Sequence, residues 1–578
     1  MAFFWVRLAA AARWSHAPLL ALAVIVLVAC LRVAATYPVF SHTWDEPFHI
    51  GAGMQWLHDG WGHDGRFVPI HPPLAETMNA VGVNALGIDN IAYDGSKFFG
   101  YKSGVQLLFA KGDYWRTLAA ARAGTLPFLL LALLVTAIWA WRTAGWPAAL
   151  LASLALSLLP PVLAHAGFAT VDMGCAATVG AALLAFAYFL RAPSVLRALL
   201  FGASAGLALL TKSSALPFIV AGGGLMLLLH GILAWRKRGA AGGPVPAARF
   251  WLRWLAVAGL SGLLVVWAGY GFDTERFGPD MRPHQDIDAV LGSSGILHHA
   301  AYQLVEAVPV PMPNFFRAMQ AAFGKGKKGH ESYFLGAVSW HGSALYFPVM
   351  LAVKLPLAFL LLLLIGSVYV AADLVSDRTD GGCEAALALA AALGILAVGM
   401  AAGVTNGLRQ LLSIMPLLAV VAGYGAARLL RVRGGWRRAA RTGVVALFAW
   451  LGGVSVMAHP DYLAWFNPLA GEHPEEIAVD SDLDWGQDLA RLGPLLESLG
   501  VDHVWMQYNG SLGTPLERFG LPAFDVLPPN QRVTGWVGIS VFNLKLGTRE
   551  PPYDQYAWLL DYEPVARAGS SIWVYHVD

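Results

Sequence analysis

Apolar stretches close to the ~20 residues needed to cross a bilayer recur along the first four fifths of the chain, and no other feature constrains its fold as much. About eleven are legible, at residues 17–35, 118–141, 148–163, 173–190, 198–210, 215–235, 254–270, 346–372, 385–403, 411–427 and 442–457. Only 13% of the 578 residues are charged and 57% are hydrophobic, against roughly 25% charged in a soluble domain. Such a chain cannot cover its apolar surface in water. The 22 Trp and 28 Phe exclude disorder, and 3 cysteines in so long a chain exclude a disulfide scaffold. Cys30 and Cys175 fall inside apolar runs and Cys383 at the edge of one, so neither a disulfide nor a CxxC metal site is expected. A net charge of +2 supplies no overall field to recruit nucleic acid.

Orientation follows from where Lys and Arg gather. Arg191/Arg197, Arg236/Lys237/Arg238/Arg249/Arg253 and Arg428/Arg431/Arg433/Arg437/Arg438/Arg441 occupy connections of one parity. Those connections are predicted to be cytoplasmic, with the N-terminus inside and the C-terminus outside. The first run, after Arg7 and Arg13, reads as a retained signal anchor because no clear small-residue cleavage pattern follows it. Three long segments then fall on the outer face: 36–117, 271–345 and 458–578. The expected architecture is a polytopic α-helical membrane protein with amphipathic outer-loop helices. Residues 1–457 form its membrane body, and 458–578 a soluble extracytoplasmic α/β domain. In that last segment strands are predicted at 477–479, 504–508, 536–541 and 572–577, with a helix over 484–499 stopped by Gly500. Residues 239–248 read as a cytoplasmic linker, and no internal repeat is evident.

The chemistry-bearing residues lie mostly in the outer segments. Asp45 and Glu46 are adjacent carboxylates just beyond the first span, before the stretch 47–57. Mutual repulsion near a low-dielectric boundary suits one of them to act as a general base; helix capping is the structural alternative. His71 opens a His-Pro-Pro-Leu run, and a histidine before proline can orient a ligand or simply fix an extended turn. Asp172 lies in a short outer turn, where it would otherwise cap the fourth span. Lys212 and Arg409 are the lone basic residues of their short outer connections, and Lys354 sits within an apolar run, placed for function or for snorkelling. The second outer segment carries Lys325, Lys327, Lys328, His330, Glu331 and Tyr333 among glycines, a pattern that can cradle a phosphate or face solvent and lipid headgroups. Asp480 to Asp488 resembles a calcium loop but puts Trp485 where glycine is required and Arg491 where glutamate is, so an EF-hand is excluded. A strand end followed by a helix cap, or a sugar- or ion-binding loop, are the readings left. Walker, dinucleotide-binding, GxSxG and HExxH motifs are missing from the sequence.

Taken in order, Asp45-Glu46, His71-Pro72-Pro73-Leu74, Asp172 and the long multispan body resemble the GT-C membrane glycosyltransferases, including protein O-mannosyltransferases and bacterial aminoarabinose transferases. Glu331-Ser332-Tyr333-Phe334-Leu335-Gly336, Tyr346-Phe347-Pro348 with Lys354-Leu355-Pro356, Asn406-Gly407-Leu408-Arg409 and the Asp480 to Asp488 motif look like a bacterial subgroup. Gln410 departs from it, standing where histidine is expected. The resemblance covers nearly the whole chain. It implies an inverting transfer of a sugar from a polyprenyl-phosphate (undecaprenyl) carrier to a glycan, lipid or protein acceptor of the cell envelope. The setting would be the periplasmic face of a bacterial inner membrane. Asp45 would be the base, and Glu46 and Asp172 would position donor or acceptor or hold a divalent metal. Lys212, Arg409 and Lys354 would neutralise the donor phosphate, with His71, His330, Glu331 and Tyr333 as substrate contacts. The rival expectations are a lipid-linked sugar flippase, which the lack of repeats and of paired broken helices disfavours, and a noncatalytic envelope scaffold.

Overall fold

The computed structural model describes residues 16–58, 71–96, 98–239, 248–275, 294–376 and 380–578. It is a polytopic helical membrane protein. Among the described residues 9 helices are long and apolar enough to cross a membrane, or 10 if one bent pair counts as a span. That pair, Trp146–Ser157 and Pro160–Ala166, turns by 68° within the predicted run 148–163. Pro160 and Pro161 cause the break, because a proline withholds the amide that would continue the preceding helix. The run at 198–210 forms the shorter helix Val195–Leu209. The run at 346–372 is not one rod but two helices, Tyr346–Lys354 and Leu357–Ser376. Pro356 forces Leu355 into an extended conformation (φ −98°, ψ 137°) and parts them.

Two spans form the middle of the bundle. In Asp172–Arg191 and Leu408–Leu430, 83% and 94% of the most apolar stretch is buried, against 17% in His16–Ala34 and Gly434–Met457 at the periphery. Small residues allow this closeness: a methyl on Gly423 would run into the Ala152 backbone, and one on Gly366 into the Val421 carbonyl. Each central span begins with a charged residue singled out in the sequence, Asp172 or Arg409. The bundle therefore delivers both to the same end.

The opposite end, about 30 Å away for a 20-residue helix, holds the basic connections. Arg142 and Arg191 meet the buried Glu384, Arg428 meets Asp373, and Arg236 donates to the Leu374 carbonyl at 3.0 Å. The linker residues 240–247 lie outside the described residues.

At the Asp172 end, the first long connection folds into the helices Glu46–His58, Pro73–Ala85 and Phe99–Phe109. The first was expected to be amphipathic, but every residue from Glu46 to Trp56 is buried. Pro73–Ala85 and Phe99–Phe109 pack against it so closely that a side chain on Gly104 would overlap the Pro47 backbone. The second long connection holds the helices Ile296–Ala307 and Pro313–Lys328 and a hairpin pairing Ser332–Phe334 with Ala337–Ser339.

The C-terminal region carries a mixed five-stranded sheet: β1 (His503–Gln507), β2 (Ala523–Val526), β3 (Gly535–Ser540), β4 (Ala566–Ala568) and β5 (Ile572–Val577), in the order β2-β1-β3-β5-β4. β1 runs parallel to β2 and β3, while β5 runs antiparallel to β3 and β4. Two expectations fail here. Residues 477–479 form no strand, and the helix expected over 484–499 is only Leu489–Ser498. Between them the chain is held by side chains instead of by a ladder. The region is stitched to the first connection: Trp44 N donates to the Trp485 carbonyl at 2.9 Å and Ser41 Oγ to the Gln487 carbonyl at 2.8 Å.

Candidate active site

Asp45, Asp172, Lys212 and Arg409 meet at the end of the bundle. The Arg409 guanidinium lies between the two carboxylates, with Nη2 3.0 Å from Asp45 Oδ2 and Nη1 3.5 Å from Asp172 Oδ2. Lys212 Nζ donates to Asp172 Oδ1 at 2.6 Å and to Gln410 Oε1 at 3.0 Å. Gln410, the departure from the expected histidine, therefore helps to orient Lys212. It in turn donates to Asn406 Oδ1 at 3.0 Å. Asp172 was alternatively an N-cap; Val171 flanks the helix and the Asp172 side chain serves the cations. Its side chain is fully buried and that of Asp45 is 20% exposed, so the set opens toward Asp45. Two positive and two negative charges in contact satisfy one another, as desolvated charges must. The indole of the buried Trp485 lies beneath Arg409, 4.3 Å from Cζ to the ring centroid, and the His165 ring packs against that indole at 5.9 Å.

Glu46 has a different role from its neighbour. It is wholly buried and joined to Arg122 through Nε at 2.8 Å and Nη2 at 2.9 Å, and it also accepts from the amides of Thr43 and Ala169, each at 2.8 Å. Burial alone would raise its pKa, but the Arg122 charge and these donors outweigh it and hold the carboxyl below its ordinary value. Arg122 also donates to the Phe40 and Ser41 carbonyls, both at 2.9 Å, and to the Tyr37 carbonyl at 3.3 Å. This pair fastens the loop carrying Asp45 to the bundle and leaves Glu46 committed.

Lys354 also lies outside the cation set. Its ammonium donates to the Leu463 and Asp482 carbonyls at 2.6 and 2.7 Å and sits 4.0 Å from the Phe466 ring centroid. Those contacts make it an anchor between the membrane body and the C-terminal region. Tyr333 donates to Glu476 at 3.0 Å and is likewise structural in its contacts. His330 and Glu331 occupy a rim: His330 Nδ1 contacts the Glu331 carbonyl at 2.7 Å, and Glu331 lies 3.8 Å from Arg549 Nη1. His71 packs against His49, whose Nδ1 is 3.2 Å from the buried Glu76. The side chains of Lys325, Lys327 and Lys328, the proposed phosphate cradle, lie outside the described residues. Among the described residues, no group of three or more His, Cys, Asp or Glu is placed to hold a metal ion.

No family model and no curated protein matches the chain. The structure is similar to that of ArnT from Cupriavidus metallidurans, at 15% identity in the apo state, over 96% of this chain and 97% of that one, with a TM-score of 0.49. The same protein bound to undecaprenyl phosphate gives 16% identity over the same shares and a TM-score of 0.46. The archaeal oligosaccharyltransferase AglB from Archaeoglobus fulgidus, in complex with an inhibitory peptide and a dolichol-phosphate, is similar at 12% identity over 96% of this chain and 74% of that one, with a TM-score of 0.46.

Several residues here escaped sequence reasoning. Arg122 lies inside the predicted apolar run 118–141, and a charge so placed is itself a signal. The sequence of the Asp480 to Asp488 motif suggests a strand end and helix cap or a sugar- or ion-binding loop, and does not show the bonds its acids make. Asp482, Asp484 and Asp488 are instead internal braces. Asp482 accepts from Leu408 N at 3.1 Å and Tyr346 Oη at 2.8 Å, and Asp484 from Phe542 N at 2.8 Å and Gly486 N at 3.1 Å. Asp488 flanks the helix without capping it and accepts from Ser571 Oγ at 2.9 Å. Arg549 is sandwiched between Trp44 and Phe542, 4.4 Å from each ring centroid.

Burial pushes Asp484 up to about 7 and Asp488 up to about 6. An acid whose folded pKa exceeds its unfolded value binds its proton more tightly when folded. Stability therefore falls as pH rises from the ordinary aspartate value of about 3.9 through these folded values. Thermal unfolding of the detergent-solubilised protein should show a lower midpoint at pH 8 than at pH 5, and Asp484→Asn should flatten that slope.

Proposed function

We propose that the chain is an inverting glycosyltransferase that moves a sugar from a polyprenyl-phosphate carrier to an envelope acceptor at this end of the bundle. The observation that carries the reading is the single guanidinium of Arg409 held between Asp45 and Asp172 with Lys212 beside it, at the mouth of an apolar bundle. Two cations at the lipid boundary suit a phosphate whose apolar tail stays among the helices, and a partly exposed carboxylate next to them suits a base. The motif resemblance in the sequence points the same way. The gathering of basic residues in the connections at the other end supports a cytoplasmic side there, and with it a site on the outer face, in a bacterium the periplasmic face of the inner membrane.

In the reaction the acceptor's hydroxyl or amine attacks the anomeric carbon from the face opposite the phosphate. Asp45 takes its proton, the carbon–oxygen bond to phosphate breaks, and the electron pair leaves on the lipid phosphate. Arg409 and Lys212 neutralise that oxygen; charge fixed in advance where charge develops is commonly the largest catalytic contribution. Asp172 keeps the two cations together before the donor arrives. Glu46 holds the Asp45 loop through Arg122, and Lys354 holds the C-terminal region in place. His330, Glu331 and His71 are the groups available to an acceptor or donor sugar.

Purified protein given undecaprenyl phosphate bearing a radiolabelled sugar, together with envelope extract, should yield labelled product and free undecaprenyl phosphate. Movement of labelled lipid between vesicle leaflets with its sugar–phosphate bond intact would overturn the reading in favour of a flippase.

A further inference from the structure

The motif from Asp480 to Asp488 belongs to the C-terminal region, yet part of it is docked on the membrane site. Ser481 is fully buried. Its Oγ accepts from Arg409 Nε at 2.9 Å and donates to the Asn406 carbonyl at 2.5 Å. One residue on, the Asp482 carboxylate accepts from the Leu408 amide. Gly407, at φ 139°, lies so near that a methyl group there would overlap Ser481 Oγ. The turn thus grips the backbone of Asn406 to Arg409 at successive points.

Every edge of the Arg409 guanidinium is accounted for. Nη2 faces Asp45, Nη1 faces Asp172, Nε faces Ser481, and one flat face lies on Trp485. The terminal nitrogens form the fork that a phosphate takes bidentately. A donor phosphate arriving there competes with Asp45 and Asp172 for those same N–H groups. What then keeps the fork aimed is the pair of contacts the phosphate does not touch, the Nε bond to Ser481 and the stack on Trp485, both from the C-terminal region.

We propose that Ser481 is a positioning residue for donor-phosphate binding, and that one role of the C-terminal region is to aim Arg409 into the membrane site. This rests on the reading of Arg409 as a phosphate ligand. A hydrogen bond to a charged group is worth enough that its loss changes affinity by about tenfold. Ser481→Ala should therefore weaken binding of undecaprenyl phosphate to the full-length protein about tenfold and raise donor KM more than it lowers kcat.

A double-mutant cycle with Arg409→Lys tests the route, since lysine has no Nε–H in that position. In the Arg409→Lys background, Ser481→Ala should cause no further loss. Gly407→Ala, which crowds the same hydroxyl without removing it, should reproduce the weaker binding if Ser481→Ala fails to fold. Ser571→Ala removes a buried hydroxyl from the same region at Asp488, and should lower the melting temperature without moving donor affinity. If Arg409→Lys weakens undecaprenyl-phosphate binding and Ser481→Ala does not, or the two losses multiply, the positioning role is overturned while the phosphate reading stands. If Arg409→Lys leaves binding unchanged, the phosphate reading falls, and the role of Ser481 falls with it.

Discussion

Asp45→Asn should lower sugar transfer by about 10²- to 10⁴-fold, the range a general base contributes, in a protein that melts as the wild type does. Asp45 is partly exposed and its carboxylate leans on Arg409, so the amide fits where the acid stood. The same substitution removes an anion that competes for Arg409 Nη2. Binding of undecaprenyl phosphate should therefore be retained or tightened while turnover collapses. Affinity by titration in detergent and turnover by release of free lipid phosphate separate the two effects. A variant that keeps near-normal turnover removes Asp45 from the chemistry. One that loses donor binding in proportion to activity makes it a ligand instead of a base.

The second large effect is on stability. Arg122→Met leaves Glu46 buried, charged and stripped of its partner, and breaking one side of a buried pair costs about 3–5 kcal/mol. The Tyr37, Phe40 and Ser41 carbonyls lose their donor in the same step, so the loss should lie toward the upper part of that range. Glu46→Gln in the Arg122→Met background should recover part of it, because it removes the buried charge, and its single amide oxygen can still accept from one of Thr43 N and Ala169 N, which approach different oxygens of the carboxylate. Thermal unfolding of the three proteins in one detergent reads this directly. If Arg122→Met melts with the wild type, the pair does not fasten the loop.

These two neighbours show how far a sequence can be read. The Asp45-Glu46 doublet marks a place where carboxylates matter, and pattern alone gives them similar roles. Only the chain's path separates them: Glu46 begins a helix buried on all sides and turns toward Arg122, 76 positions away, while Asp45 turns toward Arg409. Lys354 illustrates the converse. A lysine within an apolar run is a sound signal of a constrained charge, but the signal does not say constrained by what, and here it is two backbone carbonyls. The strand expected at 477–479 failed for a related reason. The apolar run there serves packing against the membrane body and the hairpin, and among the described residues it joins no ladder.

Hydrophobic runs of spanning length determined by themselves that this chain is a multispan membrane protein, because no other environment accepts so many consecutive apolar side chains. Short apolar stretches located β1, β3 and β5, and the Lys and Arg distribution set apart the end of the bundle where the basic connections gather. Tertiary structure alone decided which charges meet. Asp45, Asp172, Lys212, Arg409 and Ser481 come from five separated segments, and their contacts depend on which helix packs at the centre and how the C-terminal turn docks on Asn406 to Arg409. A linear pattern records what each residue can do. Proximity across hundreds of residues is settled by close packing, in which a glycine such as Gly407 leaves room for the Ser481 side chain beside Arg409.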